Sequence, residues 1–168
     1  MAAHSNNMES GTALLLSIRP RFVEQIFLGT KTVELRRIRP RVTANDLVVI
    51  YASGNQKALV GAFLVAEVHS KPPKNLWKRF GANTGLTKAE FDNYFKGADI
   101  GFAIEVARSW RLSEPVALST LRSQSSGFHP PQSYRYLDFA DVFSMGGNAL
   151  LGKQKRGTTC TSLRMVAT

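Results

Sequence analysis

The sequence predicts an α+β domain, a small mixed barrel-like β-sheet with short helices packed around it. Three observations support this. Short apolar runs of strand length interleave with segments whose apolar residues recur at helical spacing. One long apolar run, Ala58 to Val68, carries Gly61 inside it, which marks a bulge or a close backbone approach in a bent sheet. A length of 168 residues with 43% apolar content suits one domain and its core.

The elements follow in order. Residues 1–12 are polar and read as a flexible leader, the domain as 13–144, and residues 145–168 as a basic flexible tail. Ala13 to Ile18 is a buried strand that Arg19-Pro20 ends. Pro20 is well placed to open a helix, in which Phe22, Val23, Ile26 and Phe27 share one face and Gly29 supplies the left-handed stop. Thr32 to Arg37 is a strand with Val33 and Leu35 on one face and Glu34 and Arg36 on the other. A basic loop, Ile38 to Arg41, leads to the buried strand Leu47 to Ala52. After the Ser53-Gly54-Asn55 turn comes the long strand Ala58 to Val68, ended by Lys71-Pro72-Pro73. Two short helices follow: Asn75 to Phe80, and one opened by the capping box Thr87 to Glu90 and closed by Gly97. Ile100 to Val106 is a strand and Pro115 to Leu121 a short helix or turn. Phe128 to Leu137 is rigid at its diproline and aromatic at its end, and a weak helical pattern covers Phe139 to Phe143.

Composition excludes several classes. No uninterrupted apolar run, neither Ala13 to Leu16 nor Leu47 to Ala52, is long enough to span a bilayer, and the polar start lacks a secretory pattern, so no membrane partner is expected. The single cysteine, Cys160, forms no internal disulfide, which fits a cytoplasmic location. His4, His69 and His129 read as scattered, without acidic partners at ligand spacing, so neither a metal nor a cofactor is expected. The net charge of +10 draws polyanions by long-range attraction and counterion release. Arg19, Arg21, Lys31, Arg36, Arg37, Arg39 and Arg41 crowd one segment against only Glu24 and Glu34.

Lys31, Glu34 and Arg36 carry the chemistry. Glu34 and Arg36 lie on one strand face about 7 Å apart, with Lys31 at the helix-to-strand corner. Such groups either read a nucleobase edge, the carboxylate accepting from an amino group and the cations donating to oxygens, or form a structural ion-pair patch. Gln132, Ser133, Tyr134 and Tyr136 form a second candidate, in which the tyrosines either stack on bases or close a core.

Gly29-x-Lys31-x-x-Glu34-x-Arg36 resembles the GxKxxExR signature of the ASCH family, a branch of the PUA-like β-barrel superfamily. Leu15 to Pro20 resembles its opening strand and turn, Val48 to Tyr51 and Val60 to Phe63 its next strands, and Pro130 to Leu137 the closing motif of a prokaryotic subgroup. The resemblance implies a barrel with a charged cleft that binds RNA or a nucleotide-like ligand, with Lys31, Glu34 and Arg36 at the cleft positions. Some small members deacetylate 4-acetylcytidine through a lysine, a threonine and a glutamate. There the motif reads GxKTxTxR, so Lys31 matches but Glu34 stands where the threonine would be. The expected function is therefore binding of RNA or a nucleotide-like ligand by Arg19, Lys31, Glu34, Arg36, Arg37, Tyr51, Gln132, Ser133 and Tyr134. The alternative is a hydrolase of a modified nucleoside or of RNA, with Lys31 and Glu34 as its catalytic groups. A protein-interaction module is a third possibility. Whether the chain is an enzyme, and its oligomeric state, stay open at this level.

Overall fold

The computed structural model describes residues 12–152. Its elements are β1 (Thr12–Ile18), α1 (Pro20–Leu28), β2 (Val33–Arg36), β3 (Leu47–Ala52), β4 (Ala58–Lys71), α2 (Pro73–Phe80), a 3₁₀ turn (Gly81–Asn83), α3 (Lys88–Tyr94), β5 (Gly101–Ala117), α4 (Leu118–Gln124), β6 (Tyr134–Asp138) and α5 (Phe139–Leu151). The six strands form one mixed sheet in the order β2-β5-β4-β3-β1-β6. β1 and β3 run parallel, and every other pair is antiparallel.

Strand alternation explains why the central strands are apolar throughout. Ala13 and Leu15 of β1 and Val49 and Tyr51 of β3 face a cluster closed by Leu121 of α4 and Val142, Met145 and Leu150 of α5. Leu14, Leu16, Val48 and Ile50 face the opposite way, against Val23 and Ile26 of α1. A third cluster joins Val33 and Leu35 of β2 to Leu76 and Phe80 of α2 and Phe91 of α3. Gly61 fulfils both expectations held for it. The β4–β5 register shifts between Leu59 and Gly61, and an added Cβ at Gly61 would stand 2.2 Å from the Trp110 carbonyl oxygen and 2.6 Å from Phe27 Cζ.

The sheet is barrel-like but open, with β2 and β6 at the ends of the hydrogen-bonded order. Side chains bridge the gap. Arg36 of β2 donates to the Ser133 carbonyl at 3.1 Å and to the Ser17 carbonyl at 3.3 Å. The loop after β2 is held against β6, where the Tyr134 hydroxyl donates to the Arg39 carbonyl and the Arg41 N–H donates to the Tyr136 hydroxyl.

Three expectations are corrected. β5 runs on to Ala117, so Pro115 lies within the strand near its end and the helix begins at Leu118. Charged residues on its exposed face had masked the alternation. Tyr134–Asp138, the aromatic end of the stretch for which the sequence assigned no element, is a strand paired with β1. The folded unit also extends beyond residue 144. Asp138 caps α5, the helix kinks at Gly147 (φ 61°), and Leu150 beyond the kink is fully buried. The expected tail rests on the glycine, lysine, threonine and serine content from Met145 onward, which hides the apolar Leu150 and Leu151. Residues 1–11 of the expected leader and 153–168 of the expected tail lie outside the described residues.

Candidate functional site

The chain leaves α1 through Gly29 (φ 78°), and the N–H groups of Thr30 and Lys31 both donate to the Gln25 carbonyl at 3.0 Å. This tight reversal sends the Lys31 side chain inward, where it is 3% exposed. Its ammonium donates to the Val33 carbonyl at 2.7 Å and the Thr84 carbonyl at 2.6 Å, and lies 3.2 Å from Glu34 Oε2. An ammonium has three protons, and here it meets three acceptors. The other Glu34 oxygen accepts from Arg36 Nη2 at 2.9 Å. Arg36 in turn reaches Ser17 and Ser133, while its buried Nε–H has no partner among the described residues. Lys31, Glu34 and Arg36 thus form a continuous buried chain of charge from the Thr84 loop to the far edge of the sheet.

This chain forms the floor of a cleft of about 840 Å³. One wall is the start of α1, with Arg19, Arg21 and Phe22. The facing walls are α3, the Gly54 turn, α4 and Pro130 to Gln132. Six basic side chains line the cleft (Arg19, Arg21, Lys31, Arg36, Lys57, Arg122) against two acidic ones, Glu34 and Glu90. Arg21 is paired with Glu90. Arg19, Lys57 and Arg122 form no ion pair among the described residues.

Tyr51 is 2% exposed and borders the cleft, and its buried hydroxyl has no hydrogen-bond partner among the described residues. Burial pushes its phenol above the ordinary range, partly opposed by the positive charge of Arg122. Tyr94, whose hydroxyl donates to the Leu35 carbonyl, is likewise raised by burial.

Arg19, Lys31, Glu34, Arg36, Tyr51 and Gln132 of the expected set line the cleft. The other three lie off its lining. Arg37 donates to the carbonyls of Tyr94 and Lys96, Ser133 offers its carbonyl to Arg36, and Tyr134 holds the Arg39 loop. Sequence reasoning left Arg21, Lys57 and Arg122 out of the site. Lys57 follows the Gly54 turn in a left-handed conformation (φ 46°), and Arg122 sits on the helix whose start was misplaced. The reading of the histidines also needs correction. Glu67 lies two residues from His69 on one strand face, and Glu105 joins them from β5.

Residues 16–111 match the model of a known family, the ASCH domain. The chain belongs to the ASCH domain family. An "ASCH domain-containing ribonuclease" of Zymomonas mobilis is 29% identical over 123 residues, which are 73% of this chain and 82% of that protein. The crystal structure of ASCH from Zymomonas mobilis superposes with a TM-score of 0.74 at 26% identity, covering 79% of this chain and 92% of that one. The large ribosomal subunit protein uL22 of Ureaplasma parvum is 23% identical over 136 residues, 80% of this chain but 42% of that protein. The resemblance carried by the GxKxxExR motif is thereby borne out for the family and the α+β fold. Among the described residues no helix is long and apolar enough to cross a membrane.

Proposed function

We propose that this ASCH domain binds single-stranded RNA in the cleft, with one nucleotide unit held over the Glu34–Arg36 floor and the strand's phosphates along Arg19, Lys57 and Arg122. The observation that carries this reading is the six-to-two excess of basic side chains around a recess bordered by two buried donors, Arg36 Nε and the Tyr51 hydroxyl, that have no partner among the described residues. A buried donor left unmade costs free energy, and a ligand oxygen can supply the partner. The volume falls in the range of about 300–1,000 Å³ typical of small-ligand sites. An unstacked nucleotide can enter such a recess, whereas a duplex presents mainly its backbone.

The mechanism follows from what is free to move. Lys31 has its donors engaged, so it holds Glu34 and the Thr84 loop in place and leaves ligand contact to Arg36 and the rim. Glu34, gripped on both oxygens, keeps lone pairs that can accept from a base amino group. Lys57 and Arg122 reach phosphates as point charge and fork respectively.

The test is fluorescence anisotropy with single-stranded RNA and duplex DNA at two salt concentrations. Lys57→Ala with Arg122→Ala is expected to weaken RNA binding and to flatten the salt slope by roughly 0.7 for each phosphate no longer neutralised. Equal affinity for both nucleic acids would reduce the charge to generic polyanion attraction, and RNA binding unchanged by the double substitution would remove Lys57 and Arg122 from the site.

Cleavage of the bound RNA is a second reading, favoured by the name of the Zymomonas relative and by Tyr51. The Tyr51 hydroxyl borders the cleft, has no hydrogen-bond partner among the described residues and is protonated at neutral pH, so it can donate to a leaving oxygen, while Lys57 and Arg122 can stabilise charge developing on a phosphoryl group. The nucleoside-hydrolase reading draws less support, because Lys31 would have to give up three contacts to act as a base. Labelled single-stranded RNA and 4-acetylcytidine, incubated with wild type and Tyr51→Phe, separate these readings. A product from RNA that Tyr51→Phe fails to make supports cleavage, and intact RNA throughout leaves binding as the function.

A further inference from the structure

Away from the cleft, β4 and β5 bring together an imidazole and two carboxylates. Glu67 and His69 project from one face of β4, with Glu67 inside the register break between Val65 and Val68. A bulge of this kind re-aims a side chain out of the regular ladder. Glu105 arrives from β5, two residues beyond Ala103, the ladder partner of His69. The ring of His69, 6% exposed, lies with its centroid 4.8 Å from that of Phe80, which fixes its plane. Its Nε2 is 2.9 Å from Glu105 Oε2 and 3.6 Å from Glu67 Oε2, and the three ligand atoms all lie within 4.8 Å of one another.

The charge environment makes this grouping unusual. The chain carries 22 lysines and arginines against 12 acidic residues. Yet neither Glu67 nor Glu105 pairs with a lysine or arginine among the described residues. The His69 ring likewise makes no hydrogen bond there except with Glu105. Two carboxylates this close repel one another unless a cation lies between them. A divalent ion neutralises both, and a neutral imidazole completes a nitrogen–oxygen ligand set.

We propose that Glu67, His69 and Glu105 bind a divalent first-row transition-metal ion, for which zinc is the probe. Zinc–nitrogen and zinc–oxygen bonds of about 2.0–2.2 Å place neighbouring ligand atoms of a tetrahedral shell roughly 3.4 Å apart. The observed separations bracket that value. Glu67 is exposed and Glu105 half-buried, so rotations of these two side chains suffice to close the shell around a fixed His69. Three protein ligands leave a position for water. The imidazole favours zinc over magnesium, which prefers oxygen ligands. Bound there, the ion ties β4 to β5 where their ladder is interrupted.

The full-length chain, stripped with a chelator, is titrated with zinc chloride by calorimetry, and its melting temperature is read with and without the metal. One zinc per chain and a raised melting temperature are expected. The variant Glu67→Gln/Glu105→Gln should bind at least about tenfold more weakly, since loss of even an outer-shell partner typically costs that much. It should also lose the thermal response while keeping its far-ultraviolet circular dichroism. His129→Gln, a histidine outside the cluster, should change nothing. Absence of stoichiometric binding in the wild type, or unchanged affinity in the double variant, would overturn the assignment.

Discussion

Replacing Lys31 by methionine keeps the aliphatic stem and removes only the ammonium. The structure then leaves three groups short of a partner: the Val33 and Thr84 carbonyls and one oxygen of Glu34. Breaking a buried ion pair from one side typically costs about 3–5 kcal/mol, because the remaining charge is uncompensated. Arg36 still holds the other Glu34 oxygen, which places the cost toward the lower part of that range. Against a total stability of about 5–15 kcal/mol this is a large fraction. For a chain of this size it corresponds to a fall of roughly 6–16 °C in Tm. Calorimetric melts of wild type and Lys31→Met measure it. The cycle with Glu34→Gln adds a second readout. Once the carboxylate is neutral the ammonium has less to neutralise, so the double variant should lose less than the sum of the singles by about 0.5–3 kcal/mol. A Tm within about 3 °C of wild type, or additive losses in the cycle, would refute the argument that Lys31 is a structural cation.

Gly61→Ala drives a methyl against the Trp110 carbonyl, which belongs to the paired strand and cannot swing aside; a loss of about 1–3 kcal/mol or more in urea unfolding is expected, and wild-type stability would show that β4 can slide. Leu150→Ala should cost about 2–5 kcal/mol by denaturant melt if the folded unit includes the end of α5, whereas a negligible change would return the domain boundary to residue 144. The Glu90 carboxyl should titrate below the ordinary 4.5 because it accepts the Thr87 backbone N–H and pairs with Arg21. Its contribution to α3 is then complete above pH 4.5 and lost as pH falls through the lowered value, which a carbon-detected NMR titration of Glu90 reads directly. Tyr51 and Tyr94 have phenols raised above 10.0, so the stability they contribute is complete below that pH and declines as pH rises through their folded values; ultraviolet phenol titration with ordinary values for both would contradict their burial.

Most of the fold was legible because its signals are local. The apolar runs of β1 and β3, the Gly29 stop, the Thr87 capping box and the misfit at Gly61 each state their structure within a few residues. What escaped depends on distant partners. Tyr134 to Asp138 looks aromatic and polar by itself and becomes a strand only because β1 offers an unpaired edge. Leu150 lies beyond two glycines, and only the cluster under α5 shows why the helix resumes.

The site divides in the same way. The motif placed Lys31, Glu34 and Arg36 together, and spacing alone left open whether they are a pocket or an ion-pair network. The geometry makes them both. Lys31 is consumed by the network, and its three acceptors fix Glu34 from behind. Arg36 spends its two terminal nitrogens bridging the ends of an open sheet and keeps one buried N–H in reserve. The residues that give the motif its signature therefore shape the floor, while the freest charges stand on elements the motif does not include: Arg19 before α1, Lys57 before β4 and Arg122 on α4. It follows that substitutions in the motif should be read first as changes to the fold and only then as changes to binding. Ligand choice within the family is better sought on the rim, where a charge can be added or removed without disturbing a buried partner.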